Sequence, residues 1–104
     1  MNENSIMNII AQSYYHTPAA IVANEKALRA LRDVIDSALE NGTGGACVYA
    51  ADGEGYFVAV MQRQDMSDAP LGYTDTDACG TRDYPEWFWE MLVEIEKKAG
   101  EQNE

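Results

Sequence analysis

The spacing of apolar residues changes several times along the chain, and each change marks an element. From Ser5 to His16 (SIMNIIAQSYYH), β-branched and aromatic residues predict a strand that ends at Thr17–Pro18, with Ile21–Val22–Ala23 as a short extension of it. The pattern then turns helical. Asn24 can cap, Glu25 sits in the first turn and Gly42 after Asn41 closes the segment. Leu28, Leu31, Ile35, Ala38 and Leu39 recur at the helical period with Val34 at one flank, which predicts the buried stripe. The opposite face pairs Glu25 with Arg29, Arg29 with Asp33 and Arg32 with Asp36, one helical turn apart, so it reads as a solvated, salt-bridged surface on a scaffold helix.

Beyond the glycine-rich link from Gly42 to Gly45, two β-rich runs, 46–51 and 56–61, flank Asp52–Gly53–Glu54–Gly55. Glycine and aspartate tolerate the positive φ of a tight turn, so this segment predicts a hairpin. In its second strand Phe57, Ala59 and Met61 alternate with Tyr56, Val58 and Val60. Both faces are apolar, as expected of a strand covered on both sides. Residues 62–82 lose periodicity and predict a long loop, the kind of segment that often carries function. Asp83, Pro85 and Glu86 then form a capping box, and Phe88, Met91, Leu92, Ile95 and Ala99 a buried stripe that ends at Gly100, with Trp89 and Val93 on the other side. The expected fold is a single α+β domain over 1–104, in the order β-α-β-β-α, with both helices packed on one face of an antiparallel sheet.

Composition narrows the partners. The 104 residues hold 18 acidic and 7 basic side chains, a net charge of −11, and between Asp36 and Glu96 the cations are Arg63 and Arg82. Such a field disfavours direct binding to nucleic acid, which needs cations to displace condensed counterions, and disfavours anionic membranes equally. A basic protein surface or a divalent cation suits it better. The chain shows neither a signal-like start nor a bilayer-length apolar run, and its two cysteines, Cys47 and Cys79, are too few for a disulfide framework. The expected setting is a reducing cytoplasm.

Catalytic signatures are absent from the pattern. His16, the single histidine, follows Tyr14–Tyr15 at a strand end and reads as a turn residue, with no motif tying it to Cys47 or Cys79. Gly53–Glu54–Gly55 opens a strand, so it offers no helix-terminus phosphate site. An enzyme is therefore not expected. From Asp75 to Glu86 the chain resembles the calcium loop of the EF-hand family: Asp75, Asp77, Gly80, Asp83 and Glu86 fall at positions one, three, six, nine and twelve, and Thr81 offers its carbonyl. Cys79, Arg82 and Pro85 depart from that pattern. Calcium is the one cofactor that this resemblance implies, with Asp75, Asp77, Thr81, Asp83 and Glu86 as its ligands.

The aromatic residues point elsewhere. Tyr73, Tyr84 and Trp87 lie in or beside the long loop with Arg63 and Arg82, a set that can stack a planar ring and neutralise an acidic group. Trp89 and Val93, outside the buried stripe, are candidates for a protein interface or a homodimer contact. The stretch Ile21 to Leu39 (IVANEKALRALRDVIDSAL), with Ala51 to Tyr56 (ADGEGY), resembles small uncharacterised phage and prophage accessory proteins. That resemblance implies a counter-defence role by binding. The leading expectation is a non-catalytic protein that sequesters a nucleotide-like signal ligand. The alternatives are an acidic inhibitor that blocks a basic protein surface and a calcium-loop module.

Overall fold

The structure is a computed structural model that describes residues 4–72, 74 and 84–102, with the backbone alone for 99–102. Its elements are β1 (Met7–Ile10), β2 (Ala20–Ala23), α1 (Glu25–Asn41), β3 (Thr43–Tyr49), β4 (Gly55–Met61) and α2 (Glu86–Gln102). The class is α+β, but the order is β-β-α-β-β-α and the strands form two separate antiparallel pairs, β1–β2 and β3–β4. One parallel bridge, Ile6 to Tyr49, joins them, reinforced by the Tyr49 N–H donating to the Ser5 carbonyl at 2.8 Å.

The extra strand corrects the expectation of one long strand over Ser5 to His16. The chain reverses between Ile10 and Ala20, so that Met7 faces Ala23 and Ile10 faces Ala20. Thr17 organises the reversal: its hydroxyl oxygen accepts from the N–H groups of Ser13 and Tyr14 while the hydroxyl donates to the Tyr14 carbonyl. Gln12 adds a bond to the Thr17 carbonyl at 2.9 Å. This clasp holds His16 at φ 71°, a left-handed conformation that is uncommon outside glycine.

Helix α1 starts and stops where its caps place it. The Asn24 Oδ1 accepts from the Ala27 N–H at 2.9 Å, and Gly42, at φ 93°, returns its N–H to the Ala38 carbonyl. Its buried face differs from the expected stripe. Ala27, Val34 and Ala38 are buried and Leu31 packs beside them, whereas Leu28, Ile35 and Leu39 are exposed. Two alanines let the helix approach closely, and the glycine-rich segment after it is strand rather than link for the same reason. A Cβ on Gly44 would overlap the Val34 carbonyl oxygen, so only glycine admits α1 at this distance.

The adjoining glycine meets the other helix: a Cβ on Gly45 would strike Ile95 of α2 and the Phe57 ring. Consecutive strand residues point to opposite faces, so α1 and α2 cover opposite sides of the β3–β4 hairpin rather than one face together. This explains why β4 is apolar on both faces. Tyr56 and Val58 face the cluster of Met7, Ala27 and Val48, while Phe57 lies on the Gly45 side towards α2. The hairpin turn forms as expected, with Gly53 at φ 96° and the Asp52 carboxylate accepting from the Glu54 N–H at 3.0 Å.

Among the described residues, no helix is long and apolar enough to cross a membrane.

Candidate functional site

The end of β4, the loop after it and the first turns of α2 meet on the Gly45 side of the hairpin. Ile95 is buried against β3 and anchors the middle of α2. Nearer the start of the helix, the half-buried Tyr84, Trp87 and Phe88 leave a gap beside Ala59 and Met61 of β4. The gap is a groove of about 420 Å³, walled by Met61, Met66, Pro70, Leu71, Phe88 and Leu92, with Arg63, Tyr84 and Trp87 among its lining. Its walls are mostly apolar, as ligand sites generally are, with few polar groups to orient a guest.

Arg63 is the principal such group. Its guanidinium carbon lies 3.8 Å from the centroid of the Trp87 ring, a cation–π stack. The Trp87 indole N–H donates to Asp68 Oδ2 at 2.9 Å, and Asp68 Oδ1 is 3.7 Å from Arg63 Nη2. Arginine, indole and carboxylate therefore brace one another, and the arginine side chain is 30% exposed. Its Nε is buried and finds no acceptor among the described residues. Leaving a buried donor unsatisfied costs about 1–3 kcal/mol.

The loop that supplies Asp68 is itself structured. Asp65 accepts from the Ser67 hydroxyl at 2.7 Å and from the Ser67 N–H at 3.0 Å. Those bonds, the hydroxyl's first, hold the Asp65 carboxyl below the usual carboxylate range, with nearby Arg63 acting in the same direction. The turn carries Met66 into the groove wall and sets Asp68 beside the arginine.

Of the expected ligand-binding residues, Arg63, Tyr84 and Trp87 are brought together here. Tyr73 and Arg82 lie outside the described residues. So do Asp75, Asp77, Thr81 and Asp83 of the calcium-loop reading, while Glu86 sits exposed in the first turn of α2. Trp89 and Val93 are 50% and 62% exposed and lie apart from the groove lining, in a shallow recess framed by Glu86, Glu90 and Glu94. Tyr84 bridges the two regions, its ring 5.2 Å from Phe88 and 5.4 Å from Trp89. The residue behind the Arg63–Trp87 pair that the sequence does not connect to it is Asp68. It is one of several loop aspartates, and only the fold distinguishes the one that meets both Arg63 and Trp87.

A second groove, of about 570 Å³, follows β3 between α1 and α2. It is lined by small and polar residues such as Ser37, Thr43 and Gly44, with Ile95 and Lys98, and it holds no aromatic ring. The aromatic groove is the better equipped for recognition. Comparison of the chain with family models, with curated proteins and with solved structures gives no match.

Proposed function

We propose that this protein is a non-catalytic binding protein, cytoplasmic and of the phage-accessory kind, that sequesters a flat ligand bearing one acidic group, such as a nucleotide, in the groove between β4 and α2. One observation carries the reading: a guanidinium stacked on an indole, with its side chain 30% exposed, lines an apolar groove. An acidic oxygen of the ligand would pair with the exposed part of the guanidinium while its ring lies against the methionine and aromatic walls. The neighbouring Asp68 and the net charge of −11 work against a multiply charged guest, so a monophosphate fits better than a triphosphate.

Thermal unfolding against nucleosides and their mono-, di- and triphosphates tests this. The expected result is a rise in melting temperature that is largest for monophosphates and is lost in Arg63→Ala and Trp87→Ala but kept in Trp89→Ala. At a ligand concentration about a hundred times Kd the gain should be about 2.7 kcal/mol. No shift with any member of the panel, or a shift that survives both groove substitutions, rejects the assignment.

A second reading, an acidic inhibitor of a basic protein surface, is favoured by the exposed Trp89 and Val93 with Glu86, Glu90 and Glu94 around them. Here Trp89→Ala abolishes capture of a basic partner, Trp87→Ala spares it, and capture weakens steeply with salt.

A further inference from the structure

Helix α1 offers a surface that neither reading uses. Leu28, Ile35 and Leu39 are 49%, 42% and 64% exposed and, with Arg32 between them, form a continuous stripe about a quarter-turn round from the buried Ala27–Val34–Ala38 face. On the solvent side of the stripe runs a rim of charge in which the signs are segregated. The first half of the helix carries Lys26, Arg29 and Arg32 with Glu25, and the second half carries Asp33, Asp36 and Glu40. A helix that is cationic along one half and anionic along the other complements itself when a copy is turned end for end.

We infer that α1 is the contact through which two copies of this chain pair, with the helices antiparallel about a two-fold axis near Asp33 and Val34. That axis is the midpoint of the Leu28–Leu39 stripe. It sets Leu28 of one copy beside Leu39 of the other and Ile35 beside the aliphatic stem of Arg32. Because the axis carries each charged rim onto the same side of its partner, Arg32 lies one residue step, about 1.5 Å along the axis, from the second copy's Asp36. Arg29 lies two steps from the second copy's Glu40. A parallel pairing would set the basic halves side by side and the acidic halves likewise, so the sign pattern selects the antiparallel one. A two-fold contact of this kind is self-complementary, as isologous interfaces must be. The pairing would also cover three large apolar side chains that α1 leaves in water, and it lies on a helix separate from the aromatic groove.

Sedimentation equilibrium over a range of protein concentrations tests the pairing, with far-UV circular dichroism as the folding control. The wild type is expected to approach twice its 11.5 kDa mass as concentration rises. Ile35→Asp with Leu39→Asp should remain monomeric and folded, because both side chains are exposed in the monomer. Arg32→Asp alone should weaken association about tenfold, and Arg32→Asp with Asp36→Arg should restore it, since the exchanged charges meet again across the two-fold. Three results would overturn the inference: a wild type that stays monomeric throughout, association unaffected by the Ile35 and Leu39 substitutions, or an exchanged pair that associates no better than Arg32→Asp. The charge exchange decides independently, even if the aspartate pair at 35 and 39 fails to fold.

Discussion

The two faces of the β3–β4 hairpin are covered in opposite ways. On one, α1 lies close: the Val34 backbone meets Gly44, and Met7, Ala27 and Val48 are buried together on that side. On the other, α2 buries Ile95, while Phe88, Trp87 and Tyr84 line an open groove beside β4. Residue size alone accounts for much of this. Small side chains produce a tight, committed face, and large aromatics spaced along a helix produce a recess lined by their own rings. The tight face buries most of the core cluster, and the open face keeps a groove accessible to solvent.

Adding one methyl group to each face tests this contrast most severely. Gly44→Ala sets a Cβ against the Val34 backbone, which cannot step aside, and should cost about 3 kcal/mol. At about 4–8 °C per kcal/mol, thermal unfolding would register it plainly. Gly45→Ala meets side-chain atoms of Ile95 and Phe57 that can rotate, and should cost about 1 kcal/mol. Equal losses would mean that the two faces are equally rigid.

Asn24→Ala should fall between these two in severity. Beyond capping α1, the Asn24 amide accepts from the Ile6 N–H at 3.2 Å and donates to the Asn4 carbonyl at 3.1 Å, so it ties the first strand to the helix. Loss of the cap and of these two further bonds should cost about 2 kcal/mol, measured by urea unfolding.

Tyr56→Phe should cost about 1 kcal/mol, because the hydroxyl donates to the Met7 carbonyl on the tight face. Burial raises the Tyr56 pKa above its ordinary 10.0, so the fold favours the protonated phenol. The contribution is whole below pH 10.0 and fades as pH rises through the higher folded value. Melting temperatures of wild type and variant should therefore converge at strongly alkaline pH.

Asp65→Asn, on the open face, should be the mildest of these changes. With its pKa lowered from 3.8, Asp65 contributes above that value and loses the contribution as pH falls through the lower folded one. The variant should unfold slightly more easily than wild type at neutral pH and indistinguishably in strong acid, as read from paired thermal melts.

What could be read from the chain was whatever local chemistry decides. Asn24 and Gly42 bound α1 because capping involves neighbours in sequence, and the turn at Gly53 follows from its own dihedral needs. Periodicity identified an apolar face on α1 without distinguishing two that adjoin. Leu28, Ile35 and Leu39 are the greasier set, yet the alanine face is inside, because Gly44 lies across from it and rewards closeness over bulk. The first hairpin is hidden in the sequence because its reversal has no Asn-Gly signal and depends on the Thr17 hydroxyl. Arg63 and Trp87 were readable as a pair of suitable types flanking a loop, whereas Asp68 became identifiable only once the loop had folded back onto both.

The adjacent Gly44 and Gly45 also act as a key cut for a single alignment. Sliding β3 by one or two positions in either direction would bring Thr43, Ala46 or Cys47 under at least one helix, where an added side chain must displace its neighbours. Mispaired hairpins are thus penalised by shape once both helices dock, so these two residues help to fix the strand alignment.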